Sequence, residues 1–122
     1  KSIAVDGSLW ILTKDYNPPA ASSHEVNLYS IDRYYGGNFQ ETLKLDFFPY
    51  PKNLTKILAF ENLPYIYLLE PTQNRIIILD KTGQIIKQFQ SEKFDNLKDF
   101  SVSADGKTIY LLNGLKVYQI EF

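Results

Sequence analysis

The chain alternates between short apolar runs and compact polar segments along its whole length. The runs are rich in Ile, Leu, Val, Tyr and Phe, as in residues 75–80, and the segments between them carry Gly, Asn or Asp, as in residues 81–83. β-Branched and aromatic residues favour strands, and a Gly-containing turn between two such runs favours a hairpin. No stretch shows a helical periodicity of useful length. The pattern therefore predicts an all-β fold built from antiparallel hairpins.

Three parts of the chain repeat one pattern: a short apolar strand, a tight polar turn, and a second strand of the form apolar-aromatic-apolar-Leu. These parts are residues 2–12, 57–69 and 100–112. Their equivalent positions are Ala4, Ala59 and Ser101 in the first strand, and Trp10, Tyr67 and Tyr110 in the second. The offsets are about 55 and then about 42 residues, and repeats of roughly this length are typical of propellers and solenoids.

The three repeats differ in the number of strands that follow. Residues 75–80 and 84–89 add two strands to the second repeat, and residues 26–31 and 39–45 add two to the first. Only residues 115–122 follow in the third repeat. We therefore predict four, four and three antiparallel strands, about 2.75 blades, at about residues 1–46, 54–91 and 97–122, the last blade lacking its outer strand.

Several predicted strands are apolar at consecutive positions rather than at alternate ones. Residues 57–60 and 76–79 are the plainest examples. An antiparallel sheet with one face in water should alternate apolar and polar residues, so consecutive apolar residues indicate a sheet covered on both faces. Small sheets stacked around an axis have this property, because each sheet faces two neighbours.

The turn and strand patterns resemble blades of NHL-type or YVTN-type β-propellers. Residues 74–89 and 104–110 carry the resemblance, which extends over nearly the whole chain. WD-repeat propellers are a poorer match, since the Trp-Asp and Gly-His signatures are missing. The resemblance implies a propeller fold with a binding or scaffolding role, and it provides no catalytic residues to transfer.

The third repeat ends after three strands, as the closing blade of a propeller does when a strand from the beginning of the ring completes it. We therefore expect the C-terminal blades of a larger propeller. Two alternatives remain: Phe122 is an arbitrary end, or the chain is a functional half that pairs with a copy of itself. Monomers seldom expose apolar patches larger than about 300 to 600 Å². The expected partners are thus the remaining blades or a second copy.

Composition and charge restrict the kinds of function. Thirteen basic and fourteen acidic residues give a net charge of −1, which argues against an electrostatic nucleic-acid surface. The chain has no cysteine, so disulfides, thiol catalysis and Cys-based zinc sites are excluded within it. No run of residues is long and apolar enough to span a membrane. Nothing in the composition identifies a compartment.

Two long loops of the first repeat, residues 14–24 and 46–53, are expected at the same end of the blades. Inserted loops on a rigid scaffold often carry binding residues. The candidate ligand-binding or partner-binding residues are Tyr16, His24, Phe47, Phe48, Tyr50 and Lys52. Their rings could form an aromatic platform with polar contacts beside it, or the rings could instead pack onto the edge of the blade.

Two classes of function fit the sequence. The first is a non-enzymatic binding or scaffolding module that presents loops to a protein, peptide or glycan. The alternative is a portion of a propeller enzyme, or an accessory domain of one, whose catalytic residues lie outside this chain. A propeller enzyme can also assemble its site from several blades, and the contribution of this chain would then come from carboxylates on the innermost strands, Asp6, Glu61 or Asp99. His24 is the one histidine, so a multi-histidine metal site is excluded within the chain, and no catalytic, cofactor or metal residue is assigned.

Overall fold

A computed structural model of the chain describes residues 2–15 and 28–122. In this part of the chain, eleven strands form, together with one short 3-10 helix at Pro71–Gln73. The strands are β1 (Ser2–Val5), β2 (Leu9–Asp15), β3 (Leu28–Tyr35), β4 (Asn38–Thr42), β5 (Lys56–Ala59), β6 (Tyr65–Glu70), β7 (Arg75–Asp80), β8 (Ile85–Gln90), β9 (Leu97–Val102), β10 (Thr108–Asn113) and β11 (Lys116–Glu121). Over the described ranges, no helix has the length and hydropathy needed to cross a membrane.

The strands form three antiparallel sheets. Sheet 1 has the order β1-β2-β3-β4, sheet 2 the order β5-β6-β7-β8, and sheet 3 the order β9-β10-β11. Each strand pairs with its sequence neighbours only, so every sheet is an up-and-down meander. The predicted all-β class and the predicted four, four and three strands are confirmed.

The turns between strands depend on glycine where the chain has to adopt a positive φ. Gly83, in the turn from β7 to β8, has a φ of +99°. A Cβ atom placed there would lie 2.6 Å from the carbonyl oxygen of Lys44. The side chain of Asp80 closes the same turn by accepting hydrogen bonds from the backbone nitrogens of Thr82 and Gln84. Both the backbone conformation and the lack of space therefore require glycine at position 83.

Sheet 2 is buried on both faces, as its consecutive apolar residues predict. On β6, Ile66 and Leu68 belong to a core shared with sheet 1, and Tyr67 and Leu69 belong to a core shared with sheet 3. All four side chains are at most 1% exposed. Residues 76–79 of β7 divide between the two cores in the same alternating way. The middle sheet thus holds the whole structure together.

Sheets 1 and 2 approach each other at their inner strands, where β1 lies against β5, and sheets 2 and 3 approach each other where the second strand β6 lies against the inner strand β9. The backbone nitrogen of Ile57 donates to the hydroxyl of Ser2, 3.3 Å away, which ties β5 to β1. Lys56 on β5 forms an ion pair with Asp99 on β9. Contacts at the inner strands are what radial stacking of blades produces.

Candidate functional site

The segment that joins sheet 1 to sheet 2, residues 43–55, carries four of the six predicted binding residues. We call it the connector. Phe48 is 84% exposed, whereas Phe47 is buried at 6%. Tyr50 is 37% exposed, and Lys52 lies at the surface. The connector therefore presents one largely accessible ring, that of Phe48, beside a partly exposed Tyr50 and a buried Phe47. The other two predicted residues, Tyr16 and His24, lie outside the described residues.

An ion pair buried beneath the connector joins Glu70 to Arg75. Glu70 ends β6 and Arg75 begins β7, and the two residues are direct partners in the sheet. The Nε atom of Arg75 lies 2.6 Å from Oε1 of Glu70, and both side chains are fully buried. Removing two charges from water is costly, so such a pair persists only when further hydrogen bonds engage its remaining atoms.

Those further hydrogen bonds come from the backbone of the connector. The second carboxylate oxygen of Glu70 accepts from the backbone nitrogens of Lys52 and Asn53, the latter at 3.0 Å. Arg75 donates from Nη2 to the carbonyl oxygen of Pro49 at 2.7 Å. The ion pair thus accepts hydrogen bonds from two backbone amides of the connector and donates one to a backbone carbonyl. These bonds fix the path of the connector on both sides of Tyr50.

Two glutamines extend this network to the exposed part of the connector. Gln88 on β8 donates from Nε2 to the carbonyl oxygen of Phe48 at 3.0 Å, and its own side-chain oxygen accepts from Nη1 of Arg75 at 2.6 Å. Gln73, in the 3-10 helix, donates to the carbonyl oxygen of Tyr50 at 2.9 Å. Phe48 is therefore held at its backbone while its ring points into solvent.

Aromatic side chains support the connector from below. Phe47 packs edge-on against Tyr50, with ring centroids 5.8 Å apart. The hydroxyl of Tyr50 accepts a hydrogen bond from the backbone nitrogen of Tyr29 at 2.8 Å. The hydroxyl of Tyr29 in turn accepts a hydrogen bond from the backbone nitrogen of Leu54 at 2.9 Å. Phe47 and Tyr50 are thus part of the packing between the connector and sheet 1.

A polar cleft of about 290 Å³ lies beside the connector, between sheets 1 and 2. Ser2, Thr13, Asn53 and Thr55 are among the residues that line it. Lys14 also lines this cleft and donates to the carbonyl oxygen of Lys52 at 3.0 Å.

A second polar cluster lies around Asp6 and links sheet 1 to sheet 2. The carboxylate of Asp6 is 2.5 Å from Nζ of Lys81, and it accepts from Nε1 of Trp10 at 2.7 Å and from the backbone nitrogen of Ser8 at 3.0 Å. Burial alone raises the pKa of Asp6, but these three contacts outweigh it and hold the pKa below its ordinary value of 3.8. The geometry is that of a structural ion pair between two sheets.

The carboxylates considered for an enzyme do not form one group. Asp6 and Glu61 line a cleft of about 470 Å³, whereas Asp99 lines a different one and is paired with Lys56. Across residues 2–15 and 28–122, no three acidic or histidine side chains are placed to hold a metal ion.

The residues that hold the connector were not predicted from the sequence. They lie outside residues 46–53 and follow them along the chain: Glu70, Gln73, Arg75 and Gln88. One signal was present in the sequence. Glu70 is the last residue of one strongly apolar strand and Arg75 is the first residue of the next, on either side of a turn that contains proline. Charged residues at such positions are buried only when they are paired, so the sequence contained a hint of the ion pair but not of its contact with the connector.

No family model and no curated protein sequence matches this chain. Among solved structures, it is similar to Kluyveromyces lactis Hsv2 with its complete loop 6CD, with a TM-score of 0.58 and 13% identity over 99% of this chain and 32% of that one. It is also similar to Kluyveromyces marxianus Hsv2, with a TM-score of 0.57 and 13% identity over 95% of this chain and 30% of that one.

The chain spans about a third of the length of these two structures. At this identity the likeness concerns the fold, and Hsv2 is a β-propeller protein. The predicted β-propeller architecture is therefore confirmed. The narrower assignment to NHL-type or YVTN-type repeats stays a prediction.

Proposed function

We propose that this chain is part of a larger β-propeller that acts as a non-enzymatic binding module, and that the connector presents Phe48 to an apolar pocket on a protein or peptide partner. The observation that carries the proposal is the exposure of Phe48, which is 84% accessible although its backbone is held by Gln88 and its neighbours are tied to a buried ion pair. Exposed large aromatic residues on fixed backbones are typical anchors of interfaces.

A protein or peptide partner fits this geometry better than a glycan. A glycan usually stacks on a flat surface of rings, and the connector offers one protruding ring because Phe47 is buried. A single protruding ring fills a pocket on a partner, as an anchor side chain does. Such a ring suits the apolar centre of a protein interface.

The burial and pairing of the charged groups beneath the connector support a non-enzymatic role. Glu70 and Arg75 are fully buried, and their charged atoms are engaged with each other and with the connector backbone. A general acid or base needs access to substrate within hydrogen-bond reach. Neither residue has that access, so the connector is equipped for binding.

Selection of peptide ligands tests the proposal. The 122-residue chain is immobilised, a random peptide library displayed on phage is selected on it, and the enriched peptide is synthesised and titrated by calorimetry. We expect Phe48→Ser to weaken the binding of this peptide by about 30-fold or more, because an anchor residue contributes ~2 kcal/mol or more. The melting temperature should stay unchanged, since the ring contacts solvent.

Tyr35→Ser is the matched control. Tyr35 is also an exposed aromatic residue, 61% accessible, and it lies at the β3–β4 turn, away from the connector. This variant should bind the selected peptide like the wild type. Equal affinity of the Phe48→Ser variant and the wild type, failure to enrich any peptide, or Phe48-dependent binding on a glycan array in place of peptides would each overturn the proposal.

A further inference from the structure

The turn between β10 and β11 presents a second large apolar side chain to solvent. Leu115 is fully exposed at the second of the two central positions of this turn, directly after Gly114. Gly114 has a φ of +59°, which suits a two-residue hairpin turn with glycine at its first central position. Gly, Pro, Asn, Asp and Ser dominate exposed turns. A fully exposed side chain adds no packing to the fold, so the fold itself does not require leucine here.

A buried asparagine, Asn113, fixes the backbone of this turn. Its Nδ2 atom donates to the carbonyl oxygen of Lys93 at 3.2 Å and to the carboxylate of Asp95 at 3.0 Å. Its Oδ1 atom accepts from the backbone nitrogen of Asn96 at 2.8 Å. The backbone nitrogen of Gly114 donates to the carbonyl oxygen of Asn96 at 2.8 Å. The exposed leucine therefore protrudes from a turn that is tied to the segment between β8 and β9.

Hydrogen bonds connect this turn to the connector across one end of sheets 2 and 3. Gln73 lies between them, because its side chain donates to the carbonyl oxygen of Tyr50 and its own carbonyl oxygen accepts from Nε2 of Gln90 at 2.9 Å. The backbone nitrogen of Ser91 donates to the carbonyl oxygen of Asn74 at 3.3 Å. Ser91 begins the segment that binds the β10–β11 turn. The two protruding side chains, one on the connector and one on the turn, therefore lie at the same hydrogen-bonded end of the molecule.

A neighbouring sheet does not cover the tip of such a turn. Sheet 2 is covered on both faces, yet Thr72, in the equivalent connection between its second and third strands, is exposed. Sheets that stack radially contact each other through their faces, whereas turns project beyond the ends of the strands. The exposure of Leu115 is therefore a property of the end of the blade and does not depend on what packs against the outward face of sheet 3.

We infer, on the basis of the proposed function, that Leu115 is a second anchor for the partner that contacts Phe48. The partner is then a protein or peptide segment with two apolar contact points separated by polar residues. Phe48 is held by Gln88 of sheet 2, and Leu115 belongs to sheet 3. Packed sheets lie about 10 Å apart, so the two contact points are separated by at least roughly three residues of an extended segment.

The residues between the two anchors favour a protein partner over a lipid surface. Glu92, Lys93 and Asp95 are exposed in the segment between β8 and β9. An anionic lipid surface attracts clusters of Lys and Arg, whereas two carboxylates beside one ammonium group are repelled by it. The polar middle of a peptide can instead pair with both kinds of charge, as the polar rim of a protein interface does.

Calorimetric titration of the selected peptide tests the second anchor. The displayed peptides should be long enough to reach both anchors, roughly twelve residues or about 40 Å when extended. We expect Leu115→Ser to weaken binding on the order of tenfold, as the removal of an interface anchor does. The melting temperature should stay that of the wild type, because the side chain is fully exposed. Leu115→Met keeps an apolar side chain of similar volume and should bind within about twofold of the wild type.

The outcomes separate this inference from the proposed function. Weaker binding by Phe48→Ser together with unchanged binding by Leu115→Ser would overturn the second anchor alone. Unchanged binding by Phe48→Ser, or failure to enrich any peptide, would overturn both. Equal weakening by Leu115→Ser and by Tyr35→Ser, which lies at the other end of β4 from the connector, would also overturn the second anchor. So would cosedimentation of the chain with phosphatidylcholine–phosphatidylserine vesicles that Leu115→Ser abolishes, since the leucine would then contact lipid.

Discussion

At the scale of single residues, the ion pair between Glu70 and Arg75 determines the shape of the connector. The pair is fully buried, and the carboxylate oxygens and guanidinium nitrogens hold backbone groups of Pro49, Lys52 and Asn53. The exposed ring of Phe48 therefore depends on charges that are not visible at the surface. This dependence links folding to the proposed binding.

Removal of one partner of this pair should destabilise the protein strongly. Arg75→Met leaves the carboxylate of Glu70 buried without its cation, and we expect a loss of about 3 to 5 kcal/mol in the free energy of unfolding. Urea denaturation at one fixed protein concentration measures it. Lys56→Met removes the partly exposed pair with Asp99 and should cost under about 1 kcal/mol. Similar losses in the two variants would contradict the account.

Tyr67 provides a test in the opposite direction. Its ring is fully buried between sheets 2 and 3, and within residues 2–15 and 28–122 its hydroxyl has no hydrogen-bond partner. Burial next to Tyr65 raises the pKa of Tyr67 to about 12, so the hydroxyl stays neutral. Because an unpaired buried polar group costs ~1 to 3 kcal/mol, Tyr67→Phe should leave stability unchanged or raise it.

The matched control for that change is Tyr29→Phe. The hydroxyl of Tyr29 accepts a hydrogen bond from the backbone nitrogen of Leu54, and this contact is buried. Its removal should lower the free energy of unfolding by about 1 to 3 kcal/mol. Thermal melts of both variants at equal concentration distinguish them, and a loss at Tyr67 as large as at Tyr29 would show that the Tyr67 hydroxyl is paired.

At the scale of elements, sheet 2 supplies both cores. Its strands β6 and β7 are apolar at consecutive positions, and alternate residues face sheets 1 and 3. Ile77→Ala should therefore cost about 2 to 5 kcal/mol in urea denaturation, the range for a large buried side chain. Leu115→Ala in the turn between β10 and β11, where the side chain is fully exposed, should cost much less. Equal costs would contradict the arrangement of the sheets.

The contact between sheets 1 and 2 should also depend on pH through Asp6. Burial by itself raises the pKa of Asp6, yet Lys81, Trp10 and Ser8 together lower it below 3.8. Folded Asp6 thus stays ionised where unfolded Asp6 is protonated. Its contribution to stability is complete above the unfolded value and is lost as the pH falls through the folded value.

Asp6→Asn isolates this contribution. Between about pH 5 and pH 3, we expect the melting temperature of the wild type to fall more steeply than that of the variant, because only the wild type loses the contribution of ionised Asp6. The other carboxylates are common to both proteins and affect both slopes equally. Differential scanning calorimetry over this interval measures the slopes. Parallel slopes would mean that the contact of Asp6 with Lys81 does not stabilise the folded state.

At the scale of the whole molecule, the fold could be predicted from the sequence because short local patterns specify it and recur in each repeat. Hairpin turns, the apolar-aromatic-apolar-Leu strands and consecutive apolar residues each reflect a neighbouring strand or sheet. The candidate site could be predicted only in part. Residues 46–53 were identified as a loop, but the burial of Phe47 and the contact with Arg75 depend on side chains brought from another sheet, which periodicity does not record.

In a propeller the three sheets stack radially, with their inner strands close together and their outer strands apart. Because the chain has no cysteine, pairs of cysteines can carry spin labels for distance measurement by electron paramagnetic resonance, with unlabelled chain added in excess. One pair, Ser8→Cys with Asp105→Cys, lies at the inner turns of sheets 1 and 3. The other, Asn38→Cys with Glu121→Cys, lies at their outer strands.

Radial stacking predicts that the outer pair is farther apart than the inner pair by on the order of 10 Å or more, given the spacing of strands across each sheet. Equal distances for the two pairs would instead indicate sheets stacked in parallel layers, and would contradict the propeller architecture.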